Sequence, residues 1–289
     1  MKICVIFYHK NASVLFKPHW IQKCIQSLKQ QTYKEFDVLE LNYDQTSKQL
    51  YEGSIFENVM FPNHVDAMNY LINKARDLEY DYIFNSNIDD YYAPNRIEEQ
   101  LKYLENYDMV SSDYNVIKES KNKDIIIGTY ETSKLDIKQN LIENNNIIPH
   151  PCVAWKTSFF DNLKYENEIP AEDLRLWQRA IEIKTIFIVP KKLLFYRIHD
   201  NQITQLTKQT SADIYKQAID DFTKCFEKST RNFLGWRQMR DCFVSWWKKF
   251  HPEKQLPNDY ELRTIIDQRL GEPIPRRGWF YKIRNNYIW

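Results

Sequence analysis

Asp89 and Asp90 are the residues of this chain best suited to chemistry. They lie within Tyr82-Ile83-Phe84-Asn85-Ser86-Asn87-Ile88-Asp89-Asp90-Tyr91-Tyr92-Ala93-Pro94, which opens apolar and then turns polar. Adjacent carboxylates are hard oxygen donors, suited to Mg²⁺ or Mn²⁺ bridging a substrate diphosphate. Tyr82 to Phe84 is strand type, and Asn95-Arg96-Ile97-Glu98-Glu99-Gln100-Leu101 begins a helical pattern beyond the proline. In open α/β sheets the ligand crevice lies beyond the carboxyl ends of the strands. The same residues also suit an Asx-rich turn and a helix cap, so the rest of the chain must decide between the two.

A second acidic pair stands in Ile169-Pro170-Ala171-Glu172-Asp173-Leu174-Arg175-Leu176-Trp177. Pro170 and both acids fall in the first turn of a helix expected to run to Glu182, where the helix dipole favours negative charge. Two histidines sit at element ends, His150 in Ile148-Pro149-His150-Pro151 and His199 before Asp200-Asn201. Each suits a ligand contact or a structural hydrogen bond.

The elements that must position these groups alternate. Ile3 to Tyr8 reads as a buried first strand, followed by a helix from Pro18 to Gln31 with Ile21, Cys24, Ile25 and Leu28 on one face. Strands follow at Phe36–Leu41 and Asn58–Phe61, a helix at Val65–Leu78, the Tyr82 strand, a helix at Arg96–Asn106 and a strand at Met109–Ser112. That alternation argues for an α/β fold with a parallel sheet and right-handed crossovers. Lys118 to Glu131 reads as a hairpin with a lysine-rich turn. Helices at Leu135–Glu143 and Ser158–Leu163 and strands at Thr185–Val189 and Leu193–Ile198 complete residues 1–204. Residues 205–289 read differently, as helices at Ala212–Phe226, Phe233–Phe250 and Tyr260–Leu270 before a closing aromatic and basic segment.

Composition narrows the classes. Hydrophobic residues at 43% and charged residues at 27% are ordinary for a soluble globular protein. With 5 glycines the chain has no Gly-rich phosphate loop. The net charge of +1 conceals an acidic residues 1–204 and a basic residues 205–289, the latter with 16 Lys and Arg against 10 Asp and Glu. Five scattered cysteines, without a zinc spacing, fit buried thiols in a reducing compartment. The apolar Met1–Tyr8 is too short for a signal peptide or membrane span, so a cytoplasmic protein is expected, with no transmembrane segment and no nucleic-acid partner. The apolar stripe of the helices after Ala212 would pack on the first domain or form a homodimer.

Four segments, in this order, resemble the family 2 glycosyltransferases, which have the GT-A fold. They are Ser27-Leu28-Lys29-Gln30-Gln31-Thr32-Tyr33 leading to Phe36; Asn87-Ile88-Asp89-Asp90 followed by Pro94, Arg96 and Gln100; Ala171-Glu172-Asp173-Leu174-Arg175-Leu176-Trp177; and Tyr196-Arg197-Ile198-His199. The resemblance covers residues 1–204 and implies a Rossmann-like mixed sheet flanked by helices, with residues 205–289 as a helical appendage. It implies inverting transfer of a sugar from a nucleotide-sugar donor, expected to be a UDP-sugar, to a hydroxyl of a glycan or glycoprotein acceptor. On that reading Asp89 and His199 hold Mn²⁺ or Mg²⁺ on the diphosphate, and Asp173 is the general base. Tyr8, Asn42, Asn87, Asp89 and Asp90 belong to the donor side. His150, Glu172 and Trp177 belong to the acceptor side, with Trp177 either stacking on a sugar or packing in the core.

The chain departs from the family pattern at three places. Asn87 replaces the first Asp of a DxD motif, Asn42-Tyr43-Asp44 replaces an Asp-Asp pair that reads the base, and Met68 stands where members often carry Arg. Asn87 and Met68 motivate a second reading, a nucleotide-sugar or glycan-binding module without catalysis; the retained Asp89, Asp90 and Asp173 favour the enzyme. A nucleotidyltransferase would carry a Gly-rich basic loop after the first strand, and Tyr8-His9-Lys10-Asn11 offers no glycine.

Overall fold

Ile3, Val5 and Phe7 leave one side of the first strand and Cys4 and Ile6 the other, and all five are buried. A strand apolar on both sides belongs in the middle of a covered sheet. A computed structural model describes residues 1–44, 48–142, 145–167 and 172–200, with Gln202 and Val244 besides. In it β1 (Ile3–His9), β2 (Asp37–Asn42), β3 (Ile55–Asn58) and β4 (Tyr82–Ser86) alternate with α1 (Ala12–Leu15), α2 (Pro18–Lys29) and α3 (His64–Asp77). There follow β5 (Tyr91–Tyr92), α4 (Arg96–Leu104), β6 (Met109–Ser120), β7 (Lys123–Tyr130), α5 (Ile137–Ile142), β8 (Ala154–Lys156), α6 (Glu172–Ala180) and β9 (Ile186–Arg197).

The strands form one sheet in the order β3-β2-β1-β4-β8-β6-β9-β5, with β7 also on β6. Ile3, Val5 and Phe7 pack with Ile21, Cys24 and Leu28 of α2 and Ile97 and Leu104 of α4. Cys4 and Ile6 face Val65, Met68, Leu71 and Ile72 of α3 and Leu174, Leu176 and Trp177 of α6. The period of two along β1 thus divides the interior into two apolar layers, one under each helix pair.

The sheet is mixed. β1 runs parallel to β2 and β4, and β6 runs parallel to β9. This is the mixed sheet that the resemblance implied, and the alternation alone suggested only its parallel part: short β8 enters antiparallel between β4 and β6. The two strands expected between Thr185 and Ile198 are a single β9. Pro190 has no N–H to give to a ladder, and the register jumps there from Val189–Ser112 to Lys192–Asp113. The expected hairpin is β6–β7, turned by Lys121 and Asn122 at φ 50° and 60°, the signature of a two-residue type I′ loop. The helix expected at Ser158–Leu163 is a short 3₁₀ turn over Thr157–Asp161.

β3 starts earlier than expected, at Ile55, because the β2–β3 crossover has no helix among its described residues. Its backbone is held by Glu40, a carboxylate inside β2. Glu40 accepts from Leu50 N at 2.6 Å, Tyr51 N at 2.9 Å, Ser54 Oγ at 2.7 Å and His9 Nε2 at 3.0 Å. Both Glu40 and His9 are buried, so the charge sits in a full set of donors.

The chain divides into two units, Met1–Ile203 and Thr204–Trp289. The helices and apolar stripe expected after Ala212 lie outside the described residues, as do Cys225 and Cys242. Cys4, Cys24 and Cys152 are free, buried thiols. Among the described residues no helix is long and apolar enough to cross a membrane.

Candidate active site

Several polar residues of the sequence motifs are ties inside the fold. Gln31, at the end of α2, donates to Ser27 O and to Ala93 O at 2.9 and 2.8 Å and accepts from Ile97 N at 3.0 Å. Arg96 Nη2 donates to Asn85 O at 2.8 Å, and Gln100 Nε2 to Cys152 O at 2.7 Å. All three side chains are buried. They fix the end of β4, and with it the turn that carries Asn87, Asp89 and Asp90.

That turn meets the end of β9. Arg197 Nε donates to Asp89 O at 2.8 Å, and Arg197 N donates to Asp90 Oδ1 at 2.7 Å. The guanidinium forms a two-pronged pair with Asp124 of β7 and lies 4.7 Å from the Trp20 ring centroid. His199 Nε2 stands 3.0 Å from Asp89 Oδ2. Its ring packs between Phe16 and Trp20, at centroid distances of 5.8 and 5.0 Å. Trp20 is locked in turn by its indole N–H on Glu119 at 2.6 Å.

Asp89 and His199 are donor types that would suit a divalent ion, and their 3.0 Å contact is that of a hydrogen bond. Among the described residues no group of three or more His, Cys, Asp or Glu is placed to hold a metal. The remaining positions would fall to diphosphate oxygens and water, the usual arrangement for an ion that dehydrates reluctantly.

The second acidic pair opens α6. Glu172 Oε1 takes a 2.6 Å hydrogen bond from His64 Nε2 at the start of α3. Asp173 accepts from Asn146 Nδ2 at 2.8 Å and from Leu174 N at 2.7 Å. Burial, and then the neighbouring Glu172, push the Asp173 carboxyl up to about 6. Desolvation thus outweighs the helix dipole in setting the value, yet the carboxyl is still ionised at neutral pH. Burial would raise Glu172 too, but the hydrogen bond and charge of His64 hold it below the usual range.

Tyr8 stands between the two stations. Burial, followed by Tyr43, Glu172 and Asp89, holds its hydroxyl well above the usual range, and the hydroxyl is 3.5 Å from Asn87 Oδ1. Tyr196 likewise senses Asp90, Asp89 and Asp173, after burial as the main cause. Beneath them Asn85 Nδ2 donates to His150 Nδ1 at 3.2 Å, which puts the ring proton on Nε2, 2.9 Å from the Tyr165 hydroxyl. Burial lowers His150 to about 4, so it is a neutral, oriented imidazole at physiological pH.

Three expected site residues are interior. Asp90 is 1% exposed, and burial together with Asp89 drives its carboxyl well above the usual range; it holds β9 rather than a donor. Asn42 is fully buried at the end of β2, where it bonds Asn58 Oδ1 and Asp44 N at 3.2 and 3.3 Å, so its edge is not free to read a base. Trp177 is fully buried against Trp155, Tyr165 and His150 and packs in the core instead of stacking on a sugar. His64, Asn146, Asn85 and Tyr165 were missed, since each meets its partner only through the tertiary fold. The one advance signal was the position of His64 and Asn63 at a helix start.

The α/β sheet thus presents a carboxylate–imidazole pair, Asp89 and His199, and a paired-acid helix start, Glu172 and Asp173. The description Glycosyl transferase family 2 matches residues 3–163, more than half of the chain, and the chain belongs to that family of glycosyltransferases. It is 26% identical over 216 residues to an uncharacterised glycosyltransferase of Methanocaldococcus jannaschii, covering 68% of this chain and 72% of the relative. A second relative, an uncharacterised glycosyltransferase of Rickettsia typhi, is 24% identical over 75% of this chain and 74% of its own length. The fold is similar to that of S. aureus TarS, at TM-score 0.53 and 14% identity over 95% of this chain and 81% of that one. A TarS structure in complex with UDP-GlcNAc gives 0.54 and 11%, over 95% and 82% of the two chains. The architecture is thus the GT-A fold.

Proposed function

We propose that this chain is an inverting glycosyltransferase that moves a sugar from a UDP-sugar to a hydroxyl of a glycan or glycoprotein acceptor. One observation carries the reading: Asp89 and Asp90 follow β4 and Glu172 and Asp173 open α6, so both acid pairs lie at the edge of the sheet formed by strand carboxyl ends, where ligands bind in open α/β folds. Asp89 and His199 would hold Mn²⁺ or Mg²⁺, which would supply Lewis-acid stabilisation of the departing diphosphate. Tyr8 and Asn87 line the donor side; Glu172 and His150 line the acceptor side. Asp173 takes the proton of the attacking hydroxyl. A carboxylate titrating near 6 is ionised at neutral pH and basic enough to accept a proton in the transition state.

The UDP preference draws on the TarS structure with UDP-GlcNAc; the acceptor class rests on the family alone. A thermal-shift screen of nucleotide sugars with Mn²⁺ tests the reading, because a ligand that binds only the folded state raises the melting temperature. Stabilisation by UDP-sugars together with donor turnover supports it. Stabilisation without turnover at any pH supports a binding module instead.

A further inference from the structure

Glu172 is half committed. Oε1 is bonded to His64 at 2.6 Å, while Oε2 is buried and has no partner among the described residues. A buried carboxylate oxygen without a donor is unfavourable, and a hydroxyl hydrogen is the donor that a sugar substrate brings. We propose that His64, which lies outside every sequence motif, is a positioning residue: it holds Glu172 by Oε1 so that Oε2 stays ionised and receives a hydroxyl of the acceptor beside Asp173. The inference rests on the transfer reading above and extends it to a residue on α3.

The placement follows from the fold. α3 runs back along the sheet, so its first residue lies at the carboxyl ends of the strands, where α6 also begins. His64 is the first residue of α3, and the preceding Asn63 caps the helix by accepting from Asp66 N at 2.9 Å. A capped first turn gives the imidazole a rigid base. The ring must carry its proton on Nε2, since a carboxylate oxygen only accepts. Around Glu172 stand His64 from α3, Asp173 from α6, Tyr8 from β1, His150 before β8 and Tyr165. His64 is the hydrogen-bonding partner of Glu172 among them, and Asp173 is the like charge.

This makes a pH-dependent outcome that a space-filling role would not produce. Without His64, Glu172 loses the group that holds it ionised, and the two acids take up their first shared proton at higher pH. If both must be ionised for transfer, the acid limb of activity rises with it. The variants are His64→Phe, which fills the ring space without a donor, and His64→Gln, whose amide can still donate. A third, His64→Ala, serves if the phenylalanine does not fold. Carboxyl-detected carbon NMR follows Glu172 and Asp173 in the full chain, and hydrolysis of UDP-GlcNAc with Mn²⁺ is the probe reaction.

In His64→Phe the acid pair should titrate about one unit higher, with the hydrolysis limb displaced equally; His64→Gln should recover most of both. An unmoved titration in His64→Phe, or a displacement in His64→Gln as large as that in His64→Phe, overturns the proposal. If the wild type turns over no UDP-sugar, the transfer reading fails, while the NMR titration still decides the role of His64.

Discussion

Arg197 reaches from the last residue of β9 to the carbonyl of Asp89 at 2.8 Å, and so the closing strand sets the height of the acidic turn that precedes α4. The same residue gives its backbone N–H to Asp90 and its guanidinium to Asp124. Replacing it with methionine keeps the volume and removes all the side-chain donors. Loss of one partner from a buried pair costs about 3–5 kcal/mol. Because Lys23 also pairs with Asp124, at 2.6 Å, Arg197→Met should fall at the lower end of that range in urea denaturation. A loss below about 1 kcal/mol would show the pair to be incidental.

Asp89→Ala removes one of the two groups proposed to hold the metal. Titration calorimetry of UDP with Mn²⁺ should show at least about a tenfold loss of metal-dependent affinity, with little change when the metal is left out. Equal affinity in mutant and wild type would move the ion elsewhere.

Asn87→Asp returns a carboxylate to the acidic turn. Its side chain is 3.5 Å from both the Tyr8 hydroxyl and Asn85 Nδ2, so donors are already present for it. Mn²⁺ affinity in the presence of UDP should rise, since a carboxylate is the better ligand for a hard cation. Unchanged affinity would leave Asn87 a structural turn residue.

Asp173→Asn should lower turnover by roughly 10²–10⁴ while donor affinity stays within a few fold. In the wild type the base is active when ionised, so the rate should fall as pH drops through about 6. Glu172→Gln removes a neighbouring negative charge, which lowers the Asp173 value and shifts the acid limb to lower pH. A limb that rises in Glu172→Gln would assign the titration to another group.

Gln31→Leu tests a tie rather than the site. It strands the buried Ile97 N–H, at a cost of about 1–3 kcal/mol, while the Ala93 carbonyl keeps the Arg96 N–H at 3.1 Å. Stability by denaturant should drop by that order, with activity retained well below the melting temperature.

The first domain was legible because its signals are local. Ile3 to Phe7 is apolar on both sides, Pro18 starts α2 as a first-turn proline should, and four motifs fall in order. What was not legible depends on distant contacts. His64 and Glu172 are 108 residues apart, and no spacing rule joins them. Arg96, Gln100 and Gln31 are polar by type, and residue type does not tell a buried tie from a ligand contact. For Asn42 and Asp90 the strand end and turn that made them attractive also bury them. The mixed sheet came from the resemblance and not from the local pattern, since a three-residue strand, Ala154–Lys156, carries too little of one to give its direction.

Glu40 gives the β2–β3 connection an unusual dynamic character. Helical crossovers are held by many successive hydrogen bonds and can fray one turn at a time. Here Leu50, Tyr51 and Ser54 all end on a single carboxylate, so a movement of that one side chain releases all three. The segment should therefore open as one cooperative unit. In hydrogen exchange, the Leu50 and Tyr51 amides would share a single opening free energy, and Glu40→Gln would lower both together.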